Sequence, residues 1–362
     1  MKHIVVAHDK SKWCAVPANN GGNGPTWHWG NEILVGYTSG EAQFMNDGHQ
    51  VESDNPHLKS YLARSRDGGE TWETWMPGEY FGNEGFQKNE AVTLKEGINF
   101  MSPGFIMRVE GNGYHGNSGH QWFYSLDKGE SWEGPHAFGN LFDHPELVDK
   151  EFTGRTGYLV NSSSDLFVFL SVRKSEGQGL SVSTSDKVFL AKTADGGRSF
   201  HFVSWVVPPT DPYRAVMPAP VRISDSKIIS AIRRKDVEGG CWIDCYCSQN
   251  NGETWEFLSR IGDTGGSNGN PPAMIRMIDG RVCCVFGNRD TRVMLAKFSE
   301  DEGKTWTHEQ LLRDGLQSIN GFADLGYPRL FQRTDGKLVG VYFWCSPERP
   351  ETHIEATIFS AI

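Results

Sequence analysis

Apolar residues in this chain fall in short runs separated by turn-forming residues, and several runs alternate with a period of two. That pattern predicts β-strands, not helices. Six inner strands can be placed by taking each apolar run that precedes a hairpin. The first lies near residues 13–18 and leads to the run at 32–37; the second lies near 99–109 and leads to 121–124. The third covers 156–160 with a partner at 166–172. The fourth pairs 219–223 with 227–232 across Ser224-Asp225-Ser226. The fifth pairs 273–278 with 281–286 across Asp279-Gly280, and the sixth pairs 329–332 with 337–343 across Asp335-Gly336. Asp-Gly between two apolar runs is a strong hairpin signal, because the turn needs positive φ. A run at 354–360 ends the sixth unit one strand short, while the opening run Lys2–Ala7 has no partner of its own.

One eight-residue pattern recurs between these runs. Its copies are Ser65-Arg66-Asp67-Gly68-Gly69-Glu70-Thr71-Trp72, Ser125-Leu126-Asp127-Lys128-Gly129-Glu130-Ser131-Trp132 and Thr193-Ala194-Asp195-Gly196-Gly197-Arg198-Ser199-Phe200. Ser248-Gln249-Asn250-Asn251-Gly252-Glu253-Thr254-Trp255 and Ser299-Glu300-Asp301-Glu302-Gly303-Lys304-Thr305-Trp306 complete the set. The Asp accepts hydrogen bonds from backbone N–H groups two or three residues on and closes a tight turn. The Gly supplies positive φ without a Cβ penalty. The terminal aromatic is large enough to wedge between sheets. Asn250 keeps the turn with one acceptor oxygen fewer.

This pattern resembles the Asp box of sialidases and their relatives, which marks the link between the third and fourth strands of a propeller blade. The resemblance implies an all-β, six-bladed β-propeller over residues 1–362 as a single domain. The ring is expected to close through residues 2–7 pairing with 354–360, which also removes an exposed sheet edge. The repeats would then lie on one face of the disc. The opposite face, around the axis, would carry stretches near residues 17–28, 42–57, 99–103, 111–120, 155–158, 173–179, 213–218, 233–240, 268–272, 288–292, 324–327 and 344–351. Loops held by a rigid scaffold are where chemistry is expected.

Composition narrows the choice of partner. A net charge of −10 opposes nucleic acid and anionic membranes, so an anionic ligand needs a local cluster of Arg. Forty-two Gly and twelve Trp suit a turn-rich repeat protein. Seven Cys cannot all pair with one another, and their spacing fits no common zinc site; Cys241, Cys245 and Cys247 share one face of an alternating strand. The expectation is seven reduced thiols in a cytoplasmic protein, or a secreted one if a signal peptide has been removed. Neither a signal peptide nor a membrane-spanning run is recognised in the sequence. No cofactor is expected.

Sialidases hold a carboxylate with three Arg, use a Tyr nucleophile assisted by a Glu, and take an Asp as acid/base. Tyr327, in Asp324-Leu325-Gly326-Tyr327-Pro328, stands at the start of the last blade's inner strand and matches the Tyr. A neutral phenol suits a substrate whose own carboxylate would repel Asp or Glu, but it needs a base to take its proton. Arg233-Arg234 ends the second strand of blade four, and only one of the two can face the pocket; Arg234 is the expected one, with Arg289 its counterpart in blade five. Arg155 adds a cation facing the axis. Glu52 and Asp54, with Asp47 beside them, are the acid/base candidates. Asn270, Asp324, His115 and Trp29 complete the expected substrate contacts, among further aromatic and His residues (Trp27, His28, His120, Tyr213) that suit a sugar. Two departures stand out: Trp13-Cys14-Ala15-Val16-Pro17 replaces the Arg-Ile-Pro motif of blade one, and Val216-Met217-Pro218-Ala219-Pro220 lies where the assisting Glu is expected. The expected activity is exo-hydrolysis of a terminal acidic sugar from an oligosaccharide or polysaccharide. A uronic-acid lyase and a non-catalytic glycan-binding propeller are the alternatives.

Overall fold

The computed structural model describes residues 1–15, 27–40, 59–77, 90–110, 121–154, 156–174, 185–266, 268–317 and 324–362. They form a six-bladed β-propeller of antiparallel sheets. Blade one holds Trp13–Ala15 and Trp27–Trp29 as inner strands, both paired with Glu32–Gly40, and then Lys59–Ser65 and Glu73–Trp75. In blade three, Lys150–Phe152 and Gly157–Val160 both pair with Leu166–Lys174, followed by Lys187–Thr193 and His201–Trp205. Blade four runs Arg214–Arg222, Ile228–Lys235, Cys241–Ser248 and Glu256–Asp263; blade five runs Ala273–Arg276, Val282–Asn288, Val293–Ser299 and Gln310–Arg313. Blade six contains Gly326–Gln332, Leu338–Trp344 and His353–Phe359, with Lys2–Ala7 as its outer strand. The closure is antiparallel, with Lys2 opposite Ile358 and Ile4 opposite Ala356.

Blade two departs from expectation. Among the described residues it has three strands, Ile106–Glu110, Gln121–Ser125 and Glu133–Ala137, so 106–110 is a strand but 99–105 is not. Residues 98–105 instead cross the repeat-turn face: the Ile98 N–H donates to Gly196 O and the Phe100 N–H to Ser163 O. Phe100 and Phe105 are buried between blades two and three. Their apolar character reads as strand in the sequence, whereas turns closed by Asn99 and Ser102 break the run.

All five repeats form the same turn between the last two strands of their blades. In the first, Ser65 Oγ accepts the Gly69 N–H at 2.7 Å and donates to Asp67 Oδ1. Asp67 Oδ1 accepts the N–H groups of Glu70 and Thr71, and Oδ2 accepts the Thr71 hydroxyl at 2.6 Å. The Asp thus reaches three and four residues on, one further than expected. The conformation also needs two successive residues at positive φ, the Gly and the residue before it: Lys128 (62°), Asn251 (55°) and Glu302 (60°) all adopt it. In the fourth copy Asn250 Oδ1 accepts the Thr254 N–H, and Nδ2 donates to Thr254 Oγ1 at 2.9 Å.

Each turn's aromatic wedges into a different inter-blade core. Trp72 packs between blades six and one, Trp132 between one and two, and Phe200 between two and three. Trp255 fills the next interface and Trp306 the one after it. Among the described residues blade six carries no copy of the repeat turn, and its outer strand comes from Lys2–Ala7. Its interface with blade five is filled by the buried rings of Tyr342, Trp344 and Phe359. Cys241, Cys245, Cys247, Cys283, Cys284 and Cys345 are buried free thiols. Among the described residues no helix is long and apolar enough to cross a membrane.

Candidate active site on the axial face

Two inner strands open onto the axis with the same local irregularity. In blade four the ladder runs from Val216 opposite Arg233 to Ala219 opposite Ala231, leaving Met217 and Pro218 out of register. In blade six it jumps from Gly326 opposite Phe343 to Arg329 opposite Val341, leaving out Tyr327 and Pro328. Proline has no N–H to give the ladder, so it belongs where the pairing is interrupted. The residue before each proline is left-handed: Met217 has φ 58° and Tyr327 φ 51°. A non-glycine residue costs roughly 1–2 kcal/mol there and persists only where its surroundings hold it.

Both strained residues meet Arg233. The fully buried Arg233 guanidinium donates from Nη1 to Met217 Sδ at 3.2 Å and to the Tyr327 hydroxyl at 3.4 Å. Its Nε and Nη2 donate to Asn268 O, the former at 2.9 Å. The guanidinium carbon lies 5.9 Å from the Tyr327 ring centroid, and Phe343 stacks on the same ring at 5.5 Å. Among the described residues no carboxylate forms an ion pair with Arg233. Lys235, two residues on along the same strand, donates from Nζ to Asn268 Oδ1 at 3.1 Å.

Arg234, the Arg expected to face the axis, lies on the opposite side of its strand from Arg233. Ile228 and Ile232 pack into the core shared with blade three, and Ile229 and Ala231 into the core shared with blade five. Strand parity therefore sends Arg234 toward blade three and Arg233 away from it. Arg234 Nη2 binds Asp211 at 2.6 Å, Nε lies 3.4 Å from Asp244, and the guanidinium packs over Tyr213 and Tyr246. Burial raises the Asp244 carboxyl pKa despite its contacts with Trp242, Arg234 and Arg260.

Arg289 and Asp324 are brought together as an ion pair of 2.8 Å, three residues before Tyr327. Asn270 is fully buried, and its Oδ1 accepts the Tyr327 backbone N–H at 3.3 Å. Its bond is thus to the chain, not to a position facing solvent. Trp29 is not on this face. Its Nε1 donates to Pro103 O at 2.6 Å and Lys128 of the second repeat turn lies over its ring, which places it on the repeat-turn face. It ends a strand whose hairpin reaches the turns: Asn31 O accepts the Gly68 N–H. Glu52, Asp54, Arg155 and His115, with Asp47 and His120, lie outside the described residues. In the sequence Arg233 was set aside in favour of Arg234, Met217 was noted only within the segment where an assisting Glu is expected, and Lys235 and Asn268 were not given a role; the spacing of two between Arg233 and Lys235 was the available sign that they share a face. Among the described residues no cluster of three or more His, Cys, Asp or Glu could hold a metal ion.

A family model described as a BNR repeat-like domain matches residues 104–339. No curated protein sequence matches significantly. Several solved structures share the fold. A protein of unknown function from Dyadobacter fermentans is 17% identical, with a TM-score of 0.69, covering 99% of this chain and 98% of the other. The α-L-arabinanase of Penicillium chrysogenum, complexed with arabinobiose, is 12% identical with a TM-score of 0.59 and the same coverage, 99% and 98%. A Hadza microbial sialidase is 15% identical with a TM-score of 0.61, covering 96% of this chain and 66% of its own.

Proposed function

Because the chain belongs to the BNR repeat-like domain family, we propose that it is a propeller glycosidase that removes a terminal acidic sugar at the axial face. One observation carries this reading: the Tyr327 hydroxyl lies 3.4 Å from Arg233, a fully buried guanidinium with no carboxylate ion pair among the described residues. A buried cation without a counter-charge is costly, and an anionic substrate group supplies the missing charge. The guanidinium also stabilises negative charge as it develops on the phenolic oxygen. In this reading Tyr327 attacks the anomeric carbon, the carbon–oxygen bond to the leaving group breaks, and water later releases the sugar. The carboxylates that would move the protons are Glu52 and Asp54. The glycan names carried by the arabinanase and the sialidase of the same fold support a carbohydrate substrate.

Met217 favours a second reading. It lies in the segment where the resemblance leads one to expect an assisting Glu, and its sulfur accepts from Arg233. A phenol beside a cation, with no adjacent carboxylate among the described residues, also fits proton abstraction in a uronic-acid lyase. One experiment separates the readings. The protein is incubated with sialylated, uronic-acid and arabinan oligosaccharides, and products are followed by chromatography and near-ultraviolet absorbance. Release of an acidic monosaccharide without new absorbance is expected; an absorbing unsaturated product would establish the lyase. Tyr327→Phe should lose at least about a hundredfold in turnover while keeping substrate affinity, since only the reacting hydroxyl is removed. Activity confined to neutral arabinan, or full activity of Tyr327→Phe on the substrate found, would overturn the proposal.

A further inference from the structure

We propose that Asn270, from blade five, is a positioning residue that locks Tyr327 of blade six in its left-handed conformation and so fixes where the phenol points. The inference rests on the reading above only in giving the Tyr327 hydroxyl a chemical task. Three contacts converge on one turn of chain. The Tyr327 backbone N–H donates to Asn270 Oδ1 at 3.3 Å. Gly326 has φ +119°, and a Cβ there would stand 1.7 Å from the same oxygen, so the backbone of residue 326 lies directly against the amide. Leu325 sits equally close to blade five: a Cβ on Gly287 would lie 2.4 Å from Leu325 Cδ1 and 3.0 Å from Asn270 Nδ2.

Asn270 itself has no freedom to follow a moving neighbour, since it is fully buried and precedes Pro271. Proline restricts the residue before it to extended backbone. A tyrosine at φ 51° would relax to negative φ if released, rotating its Cα–Cβ bond away from Arg233. The Asn270 oxygen satisfies a buried N–H only in the strained conformation, so the hydrogen bond and the strain oppose each other.

The test uses the full chain labelled with 3-fluorotyrosine and read by fluorine NMR. The Tyr327 resonance, one of ten, is assigned by its loss in Tyr327→Phe. In Asn270→Ala this resonance should move or split while the others stay in place, and Asn270→Asp, which keeps an acceptor oxygen, should return it toward the wild-type position. On the substrate found above, kcat should fall about 10- to 100-fold in Asn270→Ala with KM changed less than about twofold, and adding Tyr327→Phe should cost little more, since both changes disable one group. If Asn270→Ala does not fold, Asn270→Ser fills part of the same space and reads the same quantities. An unmoved Tyr327 resonance in the folded variant would overturn the proposal, as would losses that multiply or a rise in KM alone, which would place Asn270 on the substrate. Full activity of Tyr327→Phe would overturn the chemical reading of Tyr327 instead, leaving the resonance to decide the clamp.

Discussion

The two faces of this propeller are built by opposite means. On one face each turn is made by eight consecutive residues, and the hydrogen bonds that close it span no more than four positions, as from Asp67 to Thr71. On the other, the contact between Arg233 and Tyr327 joins residues 94 apart, and neither side chain can find the other until three blades have docked. The first kind of structure is local and repeated, so a change in one copy is tolerated, as Asn250 demonstrates. The second is unique and depends on the ring as a whole.

Breaking the ring should therefore have the largest effect and should fall on both faces unequally. Deleting residues 1–8 removes the strand paired with His353–Phe359, takes Val6 with Ile4 and Ala7 out of the core between blades six and one, and exposes what remains of that core. Loss of two to three buried aliphatic side chains corresponds to on the order of 4 kcal/mol. A large fall in melting temperature is expected, with loss of substrate binding ahead of the loss of far-ultraviolet strand signal. An unchanged melting temperature would show that closure by this strand contributes nothing.

The next largest effect sharpens the contrast within a single strand. Arg233→Ala should weaken binding of the acidic substrate by about 1.5–3 kcal/mol, the worth of charge-assisted hydrogen bonds. Arg234→Ala should leave affinity unchanged but destabilise the fold, because Asp244 would lose a buried partner. Isothermal titration and thermal melts on the pair read both quantities. Equal losses of affinity in the two variants would sink the parity argument.

How much of each face was legible follows from the same contrast. The repeat turns, the six blades and the closing strand could be read because each is written in neighbouring residues or in a missing strand that had to be supplied. Blade two misled because Phe100 and Phe105 are apolar for the sake of an inter-blade core, not of a strand. Trp29 was assigned to the wrong face because the inner strand of blade one is divided in two, and residues 27–29 form its far end. At Arg233-Arg234 strand alternation showed only that the two guanidinium groups point to opposite sides, so that at most one could face the axis. Which one depended on where the apolar residues of the same strand pack, and Ile228, Ile229, Ala231 and Ile232 offered no difference in type to decide it.

On the repeat-turn face a single substitution should matter less. Asp301→Ala removes the acceptor for the Thr305 N–H and hydroxyl and for Ser299 Oγ, and should cost about 1–2 kcal/mol while leaving activity intact. Urea unfolding alongside a turnover assay checks both halves. A loss of activity out of proportion to stability would mean that the two faces are coupled.

The smallest effect is the most discriminating test of how the turns work. Partial burial raises the Asp67 and Asp301 carboxyls, but hydrogen bonds from Thr and Ser side chains and from backbone N–H groups outweigh it, holding both down to about 2. Asp127 and Asp195 are lowered by the same kinds of contact. A carboxyl whose folded pKa lies below its unfolded value of about 3.9 stabilises the fold above that value, and the contribution is lost as pH falls through the folded pKa. Stability should thus decline between pH 4 and about 2, the lower limit set by Asp67 and Asp301. Asn250 takes no part, because its amide does not titrate and instead donates to Thr254 Oγ1. In Asn250→Asp the Thr254 hydroxyl must turn round and donate to the new carboxylate, as Thr71 and Thr305 already do. The variant should be as stable as the parent or slightly more so at pH 7, by roughly 0.5 kcal/mol, since a hydrogen bond to a charged acceptor is stronger than one between neutral groups. At pH 2 that gain should have diminished. A gain that persisted unchanged to pH 2 would mean that the carboxylate charge contributes nothing to the turn, and that the repeat's preference for Asp has another cause.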